Sequence, residues 1–209
     1  MTQLLATRSL GYVATTDTGD TVAIEFPDIT VRAGEVVSVV GPSHSGKSIL
    51  MSLCAGLLRP TSGAVERATS DSGQWGALTF VTQALLLLPE LTVAENIALG
   101  AGHLFLAKGD PTLGPVVDVA ESVDVARLLQ RRVDELSVGE RQRVMVARAV
   151  VSRPVLVIAD EPVAHQDAAH AAAVLNALVS VRDAGGACVI FTRGSGAVSR
   201  ADQEIRLQP

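Results

Sequence analysis

The sequence predicts an α/β domain: a mainly parallel sheet covered by helices, an antiparallel β subdomain at its N-terminal side and a helical subdomain inserted within it. Three observations predict this. Residues 36–40, 154–159 and 187–191 are short runs of apolar, largely β-branched residues, and parallel strands buried on both faces read this way. The stretches between them carry helical spacing, and strand–helix–strand alternation implies a parallel sheet with helices on its faces. Directly after the first run stands Gly41-Pro42-Ser43-His44-Ser45-Gly46-Lys47-Ser48, which fits G-x-x-x-x-G-K-[ST], a phosphate-binding loop between a strand and a helix.

Residues 8–32 alternate loosely through Val22, Ile24, Phe26, Ile29 and Val31, as antiparallel strands with one buried face do. Gly19-Asp20 and Pro27-Asp28 are the turn signals between them. Tyr12, the one tyrosine, is placed before this sheet; its ring suits stacking on a nucleotide base and equally suits ordinary sheet packing.

In the phosphate loop each residue type has a reason. The glycines let the backbone turn tightly and aim successive N–H groups into one concavity. The following helix, apolar all round through residues 49–55, adds positive partial charge at its N-terminus. Lys47 supplies a mobile cation for the β- and γ-phosphates, and the Ser48 hydroxyl suits Mg²⁺. Of seventeen basic residues only Lys47 and Lys108 are lysines, so the loop places one where a planar guanidinium fits poorly.

Residues 59–63 (Arg-Pro-Thr-Ser-Gly) read as a break in which proline ends the helix and glycine allows the turn. Residues 64–77, with the single Trp75, read as polar and irregular. A strand over 77–82 delivers Gln83, and residues 84–88 are apolar. Thr92 and Glu95 form a capping box that starts a helix. A glycine-punctuated loop spans 100–114, and helical spacing resumes over 118–129. Ser137 and Glu140 form a second capping box, followed by an amphipathic helix with Arg141, Arg143 and Arg148. The strand over 154–159 ends in Asp160-Glu161; a helix over 167–182 and a turn over 183–186 lead into the last buried strand.

Composition narrows the class. The chain has 209 residues, 48% hydrophobic but 3% aromatic, so Val, Leu, Ile and Ala must build the core of one domain. A net charge of −5 argues against general nucleic-acid binding, which wants a basic surface. No apolar run approaches the roughly 20 residues that cross a bilayer. No signal peptide is expected, and Cys54 and Cys188 read as core residues of a protein from a reducing compartment.

An apolar strand ending in two carboxylates suits phosphoryl transfer. One carboxylate at the strand's C-terminal edge holds Mg²⁺ and its neighbour polarises the attacking water. Asp160 is assigned to the metal and Glu161 to the water.

Together these motifs resemble an ATP-binding cassette (ABC) transporter nucleotide-binding subunit, a P-loop NTPase, over nearly the whole chain and in the family's order. Residues 41–48 match its phosphate loop, and Gln83 the glutamine joining core to helical subdomain. Residues 136–140 (Leu-Ser-Val-Gly-Glu) match its signature, Asp160-Glu161 its second acidic motif, and Ala164-His165-Gln166-Asp167 its loop ending in aspartate. The resemblance implies one cassette domain, with core 1–83 and 142–209 and a helical subdomain over about 84–141. It implies ATP and Mg²⁺ as ligands, Gln83 serving both catalysis and metal, and Asp167 lying near the nucleotide.

It also implies a head-to-tail dimer, in which ATP lies between one subunit's phosphate loop and Ser137 and Gly139 of a second cassette, identical or different. Transmembrane permease subunits would dock on the helical subdomain, where residues 85–88 suit either docking or subdomain core. The chain would then work at the cytoplasmic face of the membrane, without nucleic acid. Residues 88–96 and the run Glu140-Arg141-Gln142-Arg143 resemble the lipoprotein-release, macrolide-export and cell-division group.

Three positions depart from the family. His44 stands where glycine is common, and Val138 replaces the first glycine of the signature pair. Thr192-Arg193-Gly194 aligns with Thr-His-Asp, putting Arg193 in place of the switch histidine. Arginine only donates hydrogen bonds and stays charged, so Arg193 can touch a γ-phosphate but cannot accept a bond from water. The expected function is ATP hydrolysis driving permease subunits; the alternative is a regulatory or mechanotransmission module with slow turnover.

Overall fold

The computed structural model describes residues 2–15, 19–68, 78–102, 114–194 and 198–208. The chain starts with β1 (Gln3–Thr15), paired antiparallel with β2 (Thr21–Glu25) on one side and β3 (Thr30–Arg32) on the other. β4 (Val36–Val40) enters a second sheet, and the phosphate loop leads from it into α1 (Lys47–Ala55). β5 (Ser62–Arg67) returns to pair with β1, followed by β6 (Leu78–Val81), α2 (Val93–Gly100) and α3 (Gly114–Ser122). Two 3-10 turns, at Ala126–Leu128 and Val133–Glu135, precede α4 (Val138–Val150). β7 (Leu156–Asp160), α5 (Ala168–Asp183), β8 (Ala187–Thr192) and β9 (Gln203–Arg206) complete the chain.

The second sheet runs β6-β7-β8-β4-β9 with every neighbouring pair parallel. All residues of β4, β7 and β8 are buried, as the apolar runs predict. Their alternating side chains divide the core in two, because successive residues of a strand face opposite sides. Val157, Ala159, Cys188 and Ile190 pack with α2, α3, α4 and α5 on one face. Leu156, Ile158, Val189 and Phe191 pack with α1 and the antiparallel sheet on the other. Cys54 and Cys188 are buried and unbridged, and burial pushes each thiol up to about 12, so both serve as small core residues.

The structure corrects several expectations. The first strand begins at Gln3, not near residue 8, and Tyr12 lies inside it, opposite Ile24, not before the sheet. Leu4, Leu5, Ala6 and Thr7 are buried consecutively, so this part has no alternation to read. Residues 62–67 form a strand where an irregular stretch was expected; its backbone partners lie in β1, and its exposed residues give it a polar composition. The helix after the phosphate loop stops at Gly56, not at Pro60. Gly56 adopts φ 78, its N–H donating to Leu53 O while that of Leu57 donates to Ser52 O, a Schellman ending. The expected helix over 118–129 is displaced: α3 covers Gly114–Ser122, and Asp124 at φ 54 breaks the backbone while Val123 and Val125 stay buried. β9 carried too weak an alternation to be foreseen. Trp75 and most of the 100–114 loop lie outside the described residues.

Candidate functional site

Four adjacent strands converge on the site. In the order β6-β7-β8-β4, the residues just past their C-terminal ends are Gln83, Glu161, Arg193 and the phosphate loop, with Asp160 as the last residue of β7. Ligands of open parallel sheets sit beyond this edge. Two backbone bonds tie the strand ends together: Gly41 N–H donates to Thr192 O at 3.2 Å and Glu161 N–H to Phe191 O at 2.9 Å. The result is a cavity of about 490 Å³ lined by Ser43, His44, Gly46, Lys47, Ser48, Gln83, Asp160, Glu161 and Arg193, with Ile24 and Ile49 as apolar walls.

The loop is built to hold an anion. Gly46 precedes α1 at φ 80, and α1 has no side-chain cap, so its first N–H groups are left to the cavity. In contrast, Thr92, Ser137 and Asp167 cap α2, α4 and α5. His44 adopts φ 66, which explains why glycine suits that position and why the histidine there is strained. Gly41 and Ser45 are buried, and a β-carbon on Gly41 would collide with the Ser45 hydroxyl. Lys47 Nζ donates to Gly41 O and Pro42 O, both at 2.6 Å, holding the ammonium at the loop's mouth.

The carboxylates face it. Burial pushes the Asp160 carboxyl up, against the pull of Lys47, Arg193 and a hydrogen bond from Ser48. Burial raises Glu161 too; Arg193 opposes the rise and Asp160 adds to it. Glu161 adopts φ 46, a conformation most side chains avoid. Arg193 Nε lies 3.2 Å from Glu161 Oε1. The Ser48 hydroxyl and Asp160 carboxylate form a hard-oxygen pair that fits Mg²⁺, which takes few protein ligands beside phosphate oxygens. Among the described residues no cluster of three or more His, Cys, Asp or Glu forms a dedicated metal cage.

The remaining predicted residues lie apart. Ser137, Gly139 and Asp167 do not line the cavity, and Ser137 and Asp167 are exposed. Ser137 caps α4: its Oγ accepts from Glu140 N–H at 3.2 Å, while its own N–H and O–H donate to Glu140 Oε2 at 3.0 and 2.9 Å. Those bonds hold the Glu140 carboxyl below its usual range, with Arg127 3.5 Å away. A β-carbon on Gly139 would sit 3.0 Å from His165 O, so glycine allows α4 to approach that loop. Asp167 accepts from His170 N–H at 2.9 Å, and the His170 ring lies between Asp167 and Asp124 at 2.7 and 3.2 Å. Tyr12 is half-buried against the core and does not line the cavity; its cross-strand partner Ile24 does.

A polar bridge unforeseen from sequence joins the two groups. Gln142 Nε2 donates to Glu161 O at 2.8 Å, Gln166 Nε2 donates to Gly139 O at 3.0 Å, and Arg143 donates to Gln166 Oε1 at 2.9 Å. Gln142 and Arg143 are buried in α4, and polar residues within a helix's buried face were the available signal.

Comparison with known proteins agrees with this geometry. A family model described as "ABC transporter" matches residues 25–164. The lipoprotein-releasing system ATP-binding protein LolD 2 of Caulobacter vibrioides is 34% identical over 98% of this chain and 94% of its own. An iron(III) import ATP-binding protein, FbpC 1 of Haemophilus influenzae, is 35% identical over 72% of this chain and 47% of its own. Among solved structures, a dimeric bacterial ABC transporter cassette superposes with a TM-score of 0.85 at 22% identity, covering 98% of this chain and 94% of that one.

Proposed function

The chain belongs to the ABC transporter family of ATP-binding proteins, and from that premise we propose that it hydrolyses ATP at an interface with a second cassette to drive membrane-embedded permease subunits. One observation carries this reading. The residues that bind and activate a triphosphate share one cavity, whereas Ser137, exposed, and Gly139, half-buried, lie outside it, at a helix N-terminus suited to another chain's γ-phosphate.

Each residue then has a task. The loop N–H groups and Lys47 bind the phosphates, and Glu161 polarises the attacking water. Gln83 and Arg193 border the terminal phosphate from the neighbouring strand ends. Mg²⁺ held through Ser48 and Asp160 would supply positive charge against the phosphate oxygens. Tyr12 and Asp167 do not line this cavity; their assigned contacts with the nucleotide lie beyond its walls, Tyr12 beside its cross-strand partner Ile24. Binding of ATP closes the dimer and hydrolysis opens it.

We assign about residues 84–141 to the helical subdomain that receives the permease. Leu86 and Leu88 are exposed at 64% and 46% and suit docking, while Leu85 and Leu87 pack against the core. No helix among the described residues is long and apolar enough to cross a membrane. The similarity to ATP-binding subunits of transporters supports a place on the cytoplasmic face of the membrane, beside the permease. The similarity to a lipoprotein-releasing protein supports a place in that export group. Arg193 favours a second reading, a regulatory module with slow turnover.

The test is Glu161→Gln. Turnover falls by about 100-fold or more while ATP binding persists; unchanged turnover would remove Glu161 from the reaction.

A further inference from the structure

The contact between Arg193 and Glu161 has a lopsided build. Arg193 Nε stands 3.2 Å from Glu161 Oε1, with side-chain exposures of 63% and 14%. That buried oxygen accepts no aligned hydrogen bond, so charge rather than N–H direction holds the pair. Glu161 is pinned at its backbone: its N–H donates to Phe191 O at 2.9 Å, and its C=O accepts from Gln142 at 2.8 Å. Arg193 is one residue beyond the end of β8, and Gly194 after it has open space around it. The guanidinium is therefore the half that moves. Lys47, the other cation of the cavity, is turned to Gly41 O and Pro42 O.

We propose that Arg193 determines triphosphate specificity by exchanging one anion for another. It holds the Glu161 carboxylate until a terminal phosphate enters the cavity, then pairs with that phosphate and frees Glu161 for the attacking water. The proposal rests on the ATP-site reading above and adds its regulation.

The physics suits an exchange. An ion pair with one exposed partner is weak, so a doubly charged terminal phosphate outcompetes it. A diphosphate engages the loop and Lys47 but presents no anion to Arg193, so the pair stays closed. Arginine keeps its charge in both positions, and its forked N–H groups match carboxylate and phosphate alike. A neutral imidazole at residue 193 would lack that hold on Glu161.

A double-mutant cycle tests this. Calorimetry would measure binding of ADP and of the non-hydrolysable β,γ-imido analogue of ATP to wild type, Arg193→Ala, Glu161→Gln and the double variant. Removing the Glu161 charge tightens triphosphate binding in either background, by lessening repulsion. The latch adds to this only where Arg193 is present to be released. The expected result is a gain about fivefold larger with Arg193 than with alanine, and no such difference for ADP. Equal gains in both backgrounds, or an equal coupling for ADP, would overturn the proposal and leave the ATP site standing. A wild-type chain that binds neither nucleotide would overturn the ATP-site reading and the latch with it.

Discussion

Two helix N-termini in this chain are finished in opposite ways. α1 follows Gly46 with no side-chain cap, starts at Lys47 and shares its cavity with two carboxylates that burial pushes up. α4 begins at Ser137 inside a complete capping box, exposed, with a carboxylate that its cap pulls down. The difference teaches how the site is divided. At α1 the fold leaves donors unsatisfied and carboxylates raised, which is costly unless an anion and a cation arrive. At α4 the capping box satisfies the Ser137 and Glu140 N–H groups, so that end is held without a ligand and leaves its serine exposed.

The widest separation between the two ends is in nucleotide affinity. Lys47→Ala should weaken ATP binding by the isolated chain on the order of 100-fold, since a charge-assisted phosphate contact is lost. Ser137→Ala should leave that affinity nearly unchanged while lowering stability by about 1 kcal/mol through the lost cap. Calorimetry and thermal melts measure both; a large affinity loss in Ser137→Ala would erase the distinction.

Turnover comes next. Arg193→His should raise steady-state ATPase activity of the purified complex severalfold, because a neutral imidazole can accept a hydrogen bond where arginine cannot. A drop with histidine would refute the assignment of slow turnover to Arg193.

The smallest effect is on stability against pH, and the two ends should differ in sign. The folded value of Glu140 lies below its unfolded one. Its contribution is therefore fully present above the ordinary glutamate range and lost as pH falls through the lowered value. Asp160 is raised, so its ionised form weakens the fold once pH exceeds its ordinary range. At neutral pH, Glu140→Gln should lower Tm and Asp160→Asn should raise it. Shifts of the same sign would contradict the contrast.

What the sequence shows directly follows the reach of its signals. The phosphate loop, the buried strands, both capping boxes and the Asp160-Glu161 pair are local patterns, and the structure places each where its pattern says. No local pattern marks β5, because its reason for being a strand is β1, far earlier in the chain, where Leu5 pairs with Arg67 and Gly11 with Ser62. The bridge through Gln142, Gln166 and Gly139 was missed because it forms only when α4 meets the loop before α5. Arg193 stands out in the sequence as a departure, but its partner does not: Glu161 is joined to it by the adjacency of β7 and β8, which no local pattern encodes.

The central claim is that α1 and α4 are halves of one site that a second chain completes. Light scattering of the Glu161→Gln chain, which holds ATP without consuming it, tests this most directly. The expected result is a mass near twice that of one chain with ATP, a single-chain mass with ADP, and loss of the doubling when Ser137→Glu is added. A single-chain mass with ATP bound, or a doubling indifferent to Ser137, would contradict it.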